Sequence, residues 1–139
     1  MAETLEAFLA QRVTRPADPV ALTEPVAVEA VPTPALLVDV TALERNLKAM
    51  QGFLDARGVG LRPHAKMHRC PIVARRQLAL GAIGVCAAKV AEAEVLRVAE
   101  IERILVTSPV TDLRAMGRLA ALAARSEDVR VVVDDAGAA

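Results

Sequence analysis

The chain repeats one short pattern five times, and that repetition limits the folds open to it. Strand candidates lie at residues 35–40, 61–66, 82–88, 103–107 and 129–134, mostly apolar except for 61–66. Their starts are roughly 20 to 26 residues apart, and a helical pattern fills each gap. The first run, Ala35-Leu36-Leu37-Val38-Asp39-Val40, is almost continuously apolar, the texture of a strand covered on both faces. Thr41-Ala42-Leu43-Glu44 then reads as a capping box with Thr41 at the N-cap and Glu44 at N3. Leu43, Leu47, Met50, Phe53 and Leu54 make the apolar stripe of that helix, and Gly58 stops it. Pro71 opens a second helix that ends before Gly81. A third covers about residues 91–99 with Val95, Leu96 and Val98, and a fourth starts at Thr111 or Asp112 and carries Leu113, Met116, Leu119 and Leu122.

Strands that alternate with helices in this way build a parallel sheet, either open and doubly wound or closed into a (βα)8 barrel. A dinucleotide-type open sheet needs a glycine-rich turn after its first strand, and Val40-Thr41-Ala42-Leu43 has no glycine. The barrel is therefore preferred. A whole barrel takes about 250 residues, so residues 35–139 are expected to be its N-terminal half, a fragment of a larger enzyme. Residues 1–34 read differently. An amphipathic helix is expected over 2–13, with Leu5, Phe8 and Leu9 at helical spacing. Pro16, Pro19, Pro25, Pro32 and Pro34 then make 14–34 an extended arm.

Composition narrows the function classes. Lys+Arg 17 balances Asp+Glu 17, and the chain has no Tyr or Trp and two Phe, so neither a basic field nor stacking platforms point to nucleic acid. The opening MAETLEAFLAQR fits neither a signal peptide nor a membrane span. Cys70 and Cys86 match no zinc-ribbon or CxxC spacing and read as small buried side chains in a reducing, cytoplasmic setting.

Chemistry concentrates in Leu61-Arg62-Pro63-His64-Ala65-Lys66-Met67-His68-Arg69, where two histidines, two arginines and a lysine fall within nine residues. Active sites of barrels lie at the C-terminal ends of the strands, and Lys66 sits at such an end. Alternation along a strand puts Arg62, His64 and Lys66 on one face. With that face turned inward, a cation beside the lysine and removal from water both favour the neutral amine, a nucleophile able to form a Schiff base. Spacing alone also allows a solvated surface lysine. His64 and His68 form an HxxxH pair, which on a helix would suit a metal, although Pro63 argues against a helix here. Lys89, Thr107, Ser108, Asp134 and Asp135 fall at other strand ends and either line the same mouth or cap helices.

Four segments together resemble one family. They are Thr33-Pro34-Ala35-Leu36-Leu37-Val38-Asp39, Leu43-Glu44-Arg45-Asn46, Arg62-Pro63-His64-Ala65-Lys66-Met67-His68, and Gly84-Val85-Cys86-Ala87-Ala88-Lys89-Val90-Ala91-Glu92-Ala93-Glu94. In order and spacing, over about residues 32–135, the chain resembles the N-terminal part of the D-threonine aldolase, D-serine dehydratase and 3-hydroxy-D-aspartate aldolase family. That resemblance implies a fold-type III pyridoxal-phosphate enzyme, an alanine-racemase-type barrel with a C-terminal β domain that this chain lacks. By motif position it makes Lys66 the lysine that carries pyridoxal phosphate as an internal aldimine; Arg62 and His64, expected on the same strand face, are read as cofactor-binding residues beside it. It further implies a divalent metal (Zn, Mn or Mg) with ligands outside this chain, a small D-amino acid substrate and a homodimer at full length. Cleavage of the Cα–Cβ bond of a D-β-hydroxy amino acid is the favoured activity, with Met67 leaning towards the aldolases. The alternatives are a D-serine dehydratase, a non-catalytic pyridoxal-phosphate-binding protein, or an inactive fragment whose open sheet edges favour association.

Overall fold

The computed structural model describes residues 25–126 and 128–138. They fall into two compact units, divided between Val38 and Asp39. The helix expected over 2–13 and the first part of the arm lie outside the described residues. In the first unit, a single 3-10 turn at Val28–Ala30 is the only regular element among them.

The second unit carries four helices and a parallel sheet. Helix α1 (Val40–Asp55) begins two residues earlier than its capping box predicts, because Asp39 takes the cap. Its Oδ1 accepts the N–H of Ala42 at 2.9 Å, satisfying one of the donors that every helix start leaves open. Val40, the last residue of the first apolar run, is thereby drawn into the helix. Ala35–Val38 correspondingly form no strand among the described residues, with Leu36 91% exposed. The α1 stripe also differs from expectation. Gln51 is buried between half-buried Leu47 and Leu54, whereas Met50 and Phe53 are exposed. The Phe53 ring is covered from outside by the Arg57 guanidinium, 3.6 Å from its centroid.

Helices α2 (Pro71–Ala79), α3 (Val90–Val98) and α4 (Leu113–Ala123) lie where periodicity puts them. Pro71 opens α2, and Asp112 caps α4 by accepting the Ala115 N–H at 2.8 Å. Strands β1 (Val85–Ala87), β2 (Arg103–Val106) and β3 (Asp128–Val131) pair in parallel in sequence order. The register aligns Cys86 with Leu105 and Leu105 with Arg130. Sequence-order neighbours of this kind are what successive right-handed crossovers of a barrel produce, and a doubly wound sheet would reverse direction somewhere. Residues 61–64 dock on the free edge of β1. Leu61 O accepts from Ile83 N at 2.8 Å, Pro63 O accepts from Cys86 N at 2.7 Å, and His64 bridges Cys86 in parallel. The second expected strand thus does not form as such: residues 61–64 make an edge segment with one isolated bridge at His64, and a 3-10 turn takes over at Ala65.

Alternation sorts the sheet into two faces. Val85, Ala87, Ile104 and Val106 are each 0% exposed and pack with Ala74, Ala93, Leu96, Ile101 and Leu122 of the helical layer. Cys86, Leu105 and Arg130 share the opposite face, the inner wall of the arc. Ion pairs tie the helical layer outside that core, Arg76 to Glu44 between α2 and α1 and Arg118 to Glu94 between α4 and α3. This division predicts unequal costs for truncation. Ile104→Ala is expected to lose about 3 kcal/mol of stability in urea unfolding, and Leu105→Ala, on the half-buried inner face, less than half as much.

Candidate active site at the lysine turn

At Ala65 the chain leaves the edge of β1 and closes into a 3-10 turn, Ala65–Met67. The turn ends the strand alternation that would have set Lys66 beside Arg62 and His64. Lys66 instead projects from the turn, exposed, at the C-terminal end of the sheet. His64 caps the turn with its ring, Nδ1 accepting the Lys66 backbone N–H at 3.3 Å. Ala65 O accepts the N–H groups of His68 at 3.2 Å and Arg69 at 2.7 Å, and Arg69 adopts a left-handed φ of 48° to complete the reversal. His68 repeats the device, its Nδ1 accepting the Cys70 N–H at 3.1 Å.

These contacts fix the protons. A backbone N–H can only donate, so His64 Nδ1 is an acceptor and the neutral ring carries its proton on Nε2. Nε2 lies 3.0 Å from Thr107 Oγ1, and Thr107 Oγ1 is 3.2 Å from Ala87 O. The polarity that satisfies every partner runs from His64 Nε2–H to Thr107 and from the Thr107 hydroxyl to the Ala87 carbonyl. Burial holds the His64 pKa below its ordinary value, the Lys66 charge lowers it further, and the carboxylate of Glu92 opposes both. Glu92, at the third position of α3, also accepts the Ala88 N–H at 2.8 Å. Its place in the site was readable only as a helix-start glutamate reaching back to a preceding N–H.

Arg62 shares the inner face with His64 but serves the other end of the sheet. Its Nη2 lies 3.6 Å from Asp128 Oδ2 at the start of β3. Its guanidinium lies over Gly84, where an added Cβ would stand 2.2 Å from Nη1 and 2.7 Å from Arg103 O. Arg130 first, and Arg62 after it, hold the Asp128 carboxyl below the usual range. Cys86 is buried, donates to Arg62 O at 3.4 Å, and has its thiol pKa raised by that burial, an inert packing role. The HxxxH pair does not share a helix face, and each Nδ1 accepts a backbone N–H around the lysine turn. Among the described residues no group of three or more His, Cys, Asp or Glu side chains could hold a metal ion. Lys89 and Ser108 line a separate cleft of about 360 Å³ between the starts of α3 and α4, and Asp134 and Asp135 are exposed.

Residues 38–139 match the family described as alanine racemase, N-terminal domain. The chain belongs to that family. It is 43% identical over 122 residues to a D-threonine aldolase of Arthrobacter sp, covering 88% of this chain and 30% of that protein. It is 41% identical over 104 residues to a 3-hydroxy-D-aspartate aldolase of Paracoccus denitrificans (strain Pd 1222), covering 74% of this chain and 27% of that protein. Among solved structures, D-threo-3-hydroxyaspartate dehydratase from Delftia sp. HT23 superposes with a TM-score of 0.72 at 33% identity, over 78% of this chain and 28% of that one. The chain thus spans at most 30% of the length of the curated relatives it matches. The N-terminal barrel of the alanine racemase family accounts for the sequence-ordered parallel sheet and its one-sided helical layer.

Two outcomes are expected of this geometry. His64 is harder to protonate folded than unfolded, so the unfolded chain binds more protons between the two pKa values. The stability His64 contributes is complete above the ordinary value of about 6.5 and is lost as pH falls through the lower folded value. Urea midpoints from pH 7.5 to 5 should show the difference between wild type and His64→Gln shrinking as pH falls. Gly84→Ala should cost about 2 kcal/mol by the same measurement, because Arg103 O is backbone and cannot move aside.

Proposed function

We propose that the full-length protein carrying this chain is a pyridoxal-phosphate-dependent lyase. It acts on D-configured β-hydroxy amino acids and cleaves the Cα–Cβ bond, as its aldolase-named relatives suggest. The observation that carries the reading is the lysine turn: an exposed primary amine at the C-terminal end of a parallel barrel sheet, on a backbone held by a neutral histidine. Such an amine fits an aldehyde cofactor, and Lys66 is the residue that would bond to it, with His64 beside it at the cofactor. When bound, pyridoxal phosphate supplies the electron sink for cleavage next to the amino carbon. The chain's part is to present Lys66 Nζ at the mouth and to keep the proton on His64 Nε2, so that Nδ1 stays free to hold the turn. Arg62, engaged with Asp128, supports the sheet beneath the site.

The same reading carries the D-amino acid substrate, a homodimer and a cytoplasmic setting. Balanced charge and two free cysteines support the last of these. Among the described residues no helix is long and apolar enough to cross a membrane. The divalent metal that the resemblance implies would take its ligands from outside this chain. A dehydratase is the second reading, supported by the likeness to the D-threo-3-hydroxyaspartate dehydratase of Delftia.

With pyridoxal phosphate present, the full-length protein is expected to convert D-threonine to glycine and acetaldehyde, or 3-hydroxy-D-aspartate to glycine and glyoxylate. Lys66→Ala should lower kcat/KM by about three orders of magnitude or more. Release of ammonia in place of the aldehyde would move the assignment to the dehydratase. Cofactor binding without turnover of either substrate would make the protein a non-catalytic carrier.

A further inference from the structure

The Ala65–Met67 turn has one short backbone bond, Arg69 N to Ala65 O at 2.7 Å, which closes it beyond Met67. Met67 N reaches His64 O at 3.3 Å and His68 N reaches Ala65 O at 3.2 Å, both at the long end of the range. The Lys66 N–H goes to His64 Nδ1. The orientation of the lysine therefore depends on the orientation of the His64 ring, and that ring meets the sheet through Thr107. Thr107 is itself fixed. Its N–H donates to Ala87 O at 2.9 Å and its hydroxyl converges on the same oxygen at 3.2 Å, which turns a hydroxyl lone pair towards His64 Nε2.

We infer that Thr107 is a positioning residue that locks His64 in its Nε2–H tautomer and, through His64, sets the turn that presents Lys66. The part that concerns Lys66 rests on the function proposed above; the tautomer lock does not. The ring faces few other groups. Lys66 follows it on the turn and Glu92 approaches from α3, with opposite effects on its charge, and Cys86 of β1 is its register partner with a protonated thiol. None of these supplies an acceptor to Nε2, so the tautomer is set by Thr107 on one side and the Lys66 N–H on the other. A valine at 107 would keep the volume and remove both roles of the hydroxyl, whereas a serine would keep them.

The test uses the full-length protein labelled with 15N-histidine, His64 being assigned with His64→Gln, and compares wild type, Thr107→Val and Thr107→Ser. In wild type above the titration of His64, Nδ1 should show the shift of an unprotonated nitrogen and Nε2 that of a protonated one. In Thr107→Val the two shifts should converge as tautomers mix, and Thr107→Ser should restore their separation. Absorbance titration with pyridoxal phosphate should show affinity about fivefold weaker in Thr107→Val, the factor that one lost hydrogen bond carries, and within about twofold of wild type in Thr107→Ser. A single tautomer retained in Thr107→Val would overturn the lock. Mixed tautomers with unchanged affinity would overturn its transmission to Lys66. If wild type binds no pyridoxal phosphate, the proposed function fails, and the histidine spectra still decide the lock.

Discussion

Two hydrogen bonds hold the chemical part of this chain in place. Ile83, just before β1, and Cys86, within it, donate to the carbonyls of Leu61 and Pro63. Proline cannot donate to a ladder but can accept from one, so residues 61–64 attach as a short edge segment whose docking relies on its carbonyls. Everything distinctive about the site follows from that register. It sets His64 level with Cys86, within reach of Thr107 beyond the end of β2, and it lays Arg62 over Gly84, where no Cβ stands in the way.

The docked segment then serves the two ends of the sheet in different ways. Towards the strand starts, Arg62 bridges to Asp128, which Arg130 also engages, a charged cluster that ties the edge segment to β3 across the inner face. Towards the strand ends the contacts are neutral: imidazole to hydroxyl to carbonyl. Neutrality matters there because a protonated His64 would turn Nδ1 into a donor facing the Lys66 N–H, and the turn would lose its cap. The helix-facing side contributes rigidity. Alanines at 74, 87 and 93, each 0% exposed, let helices approach the strands closely beneath the turn.

Much of this is legible in the sequence, because hydrophobic period and helix punctuation are local signals. Pro71, Asp112 and the apolar runs around Cys86, Leu105 and Val131 mark their elements, and the cluster around Lys66 stands out by composition. What local signals missed was set by competition or distance. Thr41 with Glu44 is a sound capping box, yet Asp39 two residues earlier offers a carboxylate to the same helix start and takes it. The strand through Arg62 and His64 was extended to Lys66 because alternation carries no stop signal, whereas the stop comes from the His64 ring accepting the Lys66 N–H. The ion pair of Arg62 with Asp128 joins residues 66 apart in the chain, which local spacing does not show. Thr107 was visible only as one of several residues at strand ends, and its role depends on the parallel register that sets it opposite His64.

The central claim is that this turn presents one lysine to the cofactor, and covalent mapping tests it most directly. Borohydride reduction of the full-length protein with pyridoxal phosphate, followed by peptide mapping, should place the label on Lys66. Label on Lys89, at the start of the neighbouring helix, or no label on a folded protein, would contradict the account.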